Sequence, residues 1–163
     1  MNTIRPIRIT LLLFIVCLML SGITAIPVAA ELKWLMEHVH FLSPSMRVWF
    51  SKVYDAVNTT NAQYPFLQYG SDWLAFAHIM IALAFIGPLR DPVKNKWVID
   101  WGIICCFATF LVIVIAGPLR GIPWFHMVMD SVFGVIGLIL LFYVKHAIQK
   151  IERNEKIFDK TVA

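Results

Sequence analysis

His78, Arg120, His126 and Asp130 are the residues of this chain whose types and positions could do chemistry. An imidazole carries or accepts a proton near neutral pH and ligates metals. A guanidinium holds carboxylates and phosphates in a planar fork. His126 and Asp130 stand four residues apart, a spacing that places them on one side of a helix. All four lie in or beside long apolar stretches. An ionised aspartate in a membrane helix costs about 2.5–3.5 kcal/mol on insertion scales, so it must face protein or water and have a partner.

The elements that would position these residues are four apolar stretches, roughly 10–29, 72–89, 97–117 and 123–146. The chain has 163 residues, 60% hydrophobic and 15% charged, and a mean hydropathy of +0.75. Soluble domains carry about 25% charged residues. Crossing a hydrocarbon core of about 30 Å takes about 20 apolar residues in a helix. In lipid the backbone must satisfy its own hydrogen bonds, which makes spans of this length helices. The connections 90–96 and 118–122 are short enough to force antiparallel neighbours. The expected fold is therefore all-α: one polytopic domain over 1–163 with four transmembrane helices, an extracytoplasmic segment over 31–71 and a cytoplasmic tail over 147–163.

The net charge of +4 raises the question of nucleic acid, but its distribution answers otherwise. With the N-terminus inside, Arg5, Arg8, Arg90, Lys94, Lys96, Lys145, Lys150, Arg153, Lys156 and Lys160 all fall on the cytoplasmic side. Lys33, Arg47, Lys52 and Arg120 fall outside. That is the positive-inside bias of a bacterial cytoplasmic membrane protein with both termini cytoplasmic. No nucleic-acid recognition motif accompanies the charge, so membrane lipids are the expected partners. The tail, where Glu152, Glu155 and Asp159 interleave with the lysines, reads as a solvated helix end with nonspecific affinity for anionic headgroups. The first stretch follows Arg5 and Arg8 and ends in small residues, as a signal peptide does. Its apolar run is longer than a signal core of about 7–15 residues, which favours a retained anchor.

Residues 31–71 carry two amphipathic helical patterns. Leu32, Leu35, Met36 and Val39 form one; Val48, Trp49, Val53 and Val57 form the other, with Ser43 as its cap and Pro44 at its first position. Trp34, Trp49 and Phe50 suit a membrane–water interface. Cys17, Cys105 and Cys106 lack the spacing of a redox or zinc motif and read as buried thiols. Small-residue stripes mark packing faces: Cys17, Ser21, Thr24 and Val28; Gly102, Cys106, Thr109, Ile113 and Ala116; and His126, Asp130, Gly134, Gly137 and Leu141. The last stripe is expected to face inward, carrying His126 and Asp130 with it.

On this topology His78, His126 and Asp130 lie roughly 5–11 Å below the outer boundary, at 1.5 Å per residue. Arg120, in the external turn, reaches the same level. A pocket between the second and fourth spans is expected, with an inert inner half to the bundle. The plainer reading is a structural clasp, His126 bonding Asp130 or Arg120 neutralising it, worth about 0.6–2 kcal/mol. The functional reading, a non-enzymatic protein binding a lipid-like or anionic ligand, stands beside two others: a haem b- or quinone-binding electron-transfer subunit, with the histidines as axial ligands, and a zinc-dependent hydrolase. The cofactor and the oligomeric state are left open, and no H-E-x-x-H motif is present.

Gly-Pro-Leu-Arg occurs twice, at 87–90 and 117–120. Both copies follow an apolar span, and each is expected to end a helix.

Asp72 and His78 at the second span, with Arg120, Asp130, Gly134 and Gly137 entering the fourth, resemble the VanZ-like family of small bacterial four-span proteins. The Asp72-to-His78 interval is longer than that family's, and Gly134 stands where it has asparagine. WLAFAHIMIALAFIGPLRDP and GPLRGIPWFHMVMD are also similar to segments of uncharacterised bacterial membrane proteins. The family resemblance implies a four-span fold and a role in the cell envelope, one member being associated with reduced susceptibility to teicoplanin.

Overall fold

A computed structural model describes residues 4–162, and among them every regular element is helical. In chain order these are α1 (Ile4–Thr24), α2 (Val28–His38), α3 (Pro44–Gln63), a 3-10 turn (Pro65–Gln68), α4 (Tyr69–Ala84), α5 (Ile86–Arg90), α6 (Lys96–Leu119) and α7 (Trp124–Val162). Four stretches are long and apolar enough to cross a membrane: Ile4–Thr24, Pro65–Arg90, Lys96–Leu119 and Trp124–Asn154. Their outward surfaces are apolar as well, with Leu13, Ile104, Leu111, Val114, Phe133 and Ile139 at least half exposed. Soluble proteins rarely expose contiguous apolar surface on this scale. The protein is a membrane-embedded all-α bundle.

The described residues fall into two compact units: the chain up to Val16 with the chain from Leu83 onward, and Cys17–Ala82. In the first, α6 and α7 form an antiparallel hairpin, joined by the start of α1 and by α5. Its core is Ile7, Leu11, Ile15, Phe85, Val98, Ile99, Ile103, Leu141, Val144 and Ile148. Phe85 sits at the break between α4 and α5, fully buried, its ring 4.7 Å from that of Phe14. Glycine brings the helices together around it. A Cβ on Gly102 would lie 2.6 Å from Phe85 Cζ; one on Gly137 would lie 2.9 Å from Cys106 Sγ.

The repeated tetrapeptide ends a helix at both places, as expected: α5 stops at Arg90 and α6 at Leu119. Each copy forms the closing turn of its helix, and the residues after it complete the stop. Asp91 closes α5, and Asn95 Nδ2 donates to Gly87 O at 3.2 Å and to Asp91 O at 2.9 Å. After the second copy Gly121 takes a φ of +67°, and its N–H donates to Pro118 O while Ile122 N donates to Gly117 O. This is a Schellman ending, and glycine is the residue that enters its left-handed position without steric cost. α7 then runs 39 residues, roughly 58 Å at 1.5 Å per residue, well beyond the expected span end at 146. The tail charges Glu155, Lys156, Asp159 and Lys160 lie outside the described side chains.

In the second unit α1 ends at Thr24, short of the expected 29, because Pro27 has no N–H to continue the ladder. Proline instead precedes α2. Ser43 Oγ accepts from Met46 N at 3.3 Å, and Pro44 opens α3, as the sequence predicts. Arg47 of α3 turns back and donates to Val39 O at 3.0 Å and Met36 O at 3.5 Å, satisfying carbonyls that the end of α2 leaves unpaired. Against α4, Gly22 makes room for close approach: its Cβ would lie 2.7 Å from His78 Cβ.

Candidate functional site

Of the expected site residues, His78 belongs to the second unit and Arg120, His126 and Asp130 to the first. His78 lies on α4 where α1 crosses it at Gly22. Its Nδ1 is 2.8 Å from Leu74 O. A carbonyl only accepts, so Nδ1 is the donor in this contact. The side chain is half-buried and one turn of its own helix fixes its orientation.

His126 and Asp130 come together on α7. Nε2 of the histidine lies 3.8 Å from Oδ1 of the aspartate, too far for a hydrogen bond and close enough to attract a protonated ring. Their side chains are 31% and 50% exposed. Asp130 therefore stands open, although Gly134, Gly137 and Leu141 further along the same stripe are buried. The stripe faces the packing surface only below it. Arg120 is the C-cap of α6 and is exposed; its backbone N–H donates to Ala116 O at 3.0 Å. Among the described residues its guanidinium pairs with no carboxylate. The expected neutralisation of Asp130 by Arg120 is not made among the described residues: Arg120 is exposed at the C-cap of α6, and the charged partner of Asp130 is His126. Trp124 is exposed at the start of α7.

No group of three or more His, Cys, Asp or Glu side chains is placed to hold a metal ion among the described residues.

The other end of the hairpin is richer than expected. Lys96 Nζ donates to Glu152 Oε1 at 2.6 Å, and Lys145 Nζ lies 2.7 Å from Asp100 Oδ1. The Asp100 oxygen is itself shielded from solvent, and the lysine approaches it without hydrogen-bond alignment. With Ile99, Ile148 and Gln149 these residues line a cleft of about 130 Å³. Both pairs cross from α6 to α7. Pairing each basic group with an acid at matched height is what an antiparallel hairpin requires of charges near the apolar region. The half of the bundle expected to be inert carries charged pairs that clamp α6 to α7. The signal was present in Lys96 and Asp100, four apart on one helix face, facing Lys145 and Glu152, seven apart on the other.

Comparison with protein-family models, with curated proteins and with solved structures finds no match to this chain.

Proposed function

We propose that this is a non-enzymatic envelope protein of a bacterial cytoplasmic membrane, binding an anionic, lipid-like ligand at the turn between α6 and α7. The observation that carries this reading is the pairing pattern of that turn. Arg120 presents a guanidinium with no carboxylate partner among the described residues, beside a helix start that holds His126 and a half-exposed Asp130. A guanidinium at a membrane boundary attracts phosphate or carboxylate headgroups, and the apolar surface of the span accommodates a chain below them. Arg120 and Asp130 are also residues on which the VanZ-like resemblance rests, and an envelope role is what that resemblance implies. The distribution of lysine and arginine supports placing this turn outside the cytoplasm.

Phosphatidic acid carrying a photoactivatable group near its headgroup tests the proposal on the full chain in detergent. Labelling is expected to map to residues 117–131 and to fall about tenfold in Arg120→Gln, as loss of one charge-assisted contact implies. His126→Ala should reduce it less. Wild-type labelling spread evenly over the spans, or Arg120→Gln labelled as strongly as wild type, would remove this reading.

A further inference from the structure

At the opposite end of the same unit, Arg5, Arg8, Ile9 and Leu12 follow one another at steps of three, one and three along α1. That spacing keeps them on one face of the helix. With Ile4 and Leu89 they line an open cleft of about 440 Å³. Its chemistry is graded. Arginines occupy the end nearest the helix start, and Ile9, Leu12 and Leu89 form an apolar wall. Arg8 Nη2 donates to Arg90 O at 3.0 Å, which holds the guanidinium in place while leaving most of its five donors available. The neighbouring acids are committed elsewhere: Asp91 takes the N–H of Lys94 at 3.1 Å and its ammonium at 3.7 Å, and Asp100 lies against Lys145. Among the described residues neither Arg5 nor Arg8 pairs with a carboxylate.

We propose that this cleft is a binding site for one anionic phospholipid, its phosphate diester held by Arg5 and Arg8 and an acyl chain lying along Ile9, Leu12 and Leu89. Charge complementarity selects the headgroup, and the apolar wall selects a lipid over a free phosphate ion. Two arginines at a span boundary are unneutralised without such a ligand, and basic clefts between membrane helices are suited to acidic headgroups. The site is independent of Arg120, His126 and Asp130, which lie beyond the far end of α6.

Native mass spectrometry of the full chain, released from detergent in the presence of equal phosphatidylglycerol and phosphatidylcholine of the same acyl chains, tests it. The wild type should retain one phosphatidylglycerol preferentially. Arg5→Gln/Arg8→Gln should weaken that retention about tenfold to thirtyfold, the effect of removing two charges near an anionic group. Lys150→Gln/Arg153→Gln, the same charge change on an exposed part of α7, should keep the preference. Leu12→Trp, which fills the cleft with both arginines intact, should weaken retention by itself and decides the matter if the double arginine variant loses its helicity. No preference in the wild type, equal losses in the two double variants, unaltered retention in Leu12→Trp, or displacement of the lipid by equimolar glycerol 3-phosphate would each overturn the proposal.

Discussion

A Cβ on Gly102 would lie 2.6 Å from Phe85 Cζ and 2.9 Å from Leu141 Cδ1, both fully buried side chains with no free volume to enter. Overpacking of a filled core costs about 1–3 kcal/mol. Gly102→Ala should destabilise the protein by that amount in denaturant titrations performed in detergent, and Phe85→Leu in the same chain should recover part of the loss by removing the ring edge that the methyl group meets. Gly70 provides the contrast. A Cβ there meets no atom within 4 Å, and it lies in the first turn of α4. Gly70→Ala should leave stability unchanged or raise it slightly, as expected where alanine replaces glycine in a helix. Equal effects of the two substitutions would show that close helix approach at Gly102 does not hold the hairpin together.

The α6–α7 hairpin shows which features of this chain could be read before its structure. Its existence follows from two apolar runs and a connection too short for anything but antiparallel neighbours. The interior positions of Gly134 and Gly137 follow from their helical spacing. The register does not, because the Gly-Pro-Leu-Arg stop does not say which residue turns the chain; Gly121, just past it, takes the positive φ that makes the turn. A shift of one turn would separate Lys96 from Glu152 and Asp100 from Lys145, so those pairs are legible only once the turn is placed. At the candidate site the i, i+4 relation of His126 and Asp130 was legible from spacing, whereas the exposure of Asp130 depends on where α6 stops covering α7. Oxidative cross-linking checks the register. In a chain lacking Cys17 and Cys105, Gly137→Cys should form a disulfide with Cys106, whose Sγ is 2.9 Å from the Cβ position, while Gly134→Cys, facing Phe110, should not. The clamp has its own signature. A double-mutant cycle of Asp100→Asn and Lys145→Gln should give a coupling of about 0.5–1 kcal/mol, modest because both side chains are 40% or more exposed. It should shrink with added salt as screening requires. A coupling near zero at low salt would assign the pair no role in holding the hairpin.

At the scale of the whole molecule, the four membrane-length helices and the sidedness of charge must be mutually consistent. An even number of crossings returns the C-terminus to the side on which α1 begins. The arginines at the start of the first span and the lysines at the end of the last would then share a compartment, with Lys33, Arg47 and Lys52 in the other. Because cytoplasmic loops hold the excess of lysine and arginine, the shared compartment is expected to be the cytoplasm. Arg47 is occupied by the carbonyls ending α2, so its charge lies in a local cap, whereas Lys145 and Lys96 pair with acids that cover only part of the positive charge at their end. Single cysteines in a chain without its native thiols distinguish the two orientations. Lys52→Cys, on an exposed position of α3, should react in intact cells with a maleimide that cannot cross the membrane. Lys150→Cys, exposed on α7 and beyond the apolar part of its span, should react only after permeabilisation. The intact mass of the purified chain separates a retained α1 from a cleaved one, since cleavage in the small-residue segment before Glu31 would remove the first span and leave three crossings. Labelling of both positions from the same side would mean that at least one of the four helices does not cross the membrane. Labelling of Lys150→Cys alone in intact cells would invert the topology, and Arg120 would then face the cytoplasm instead of the external surface.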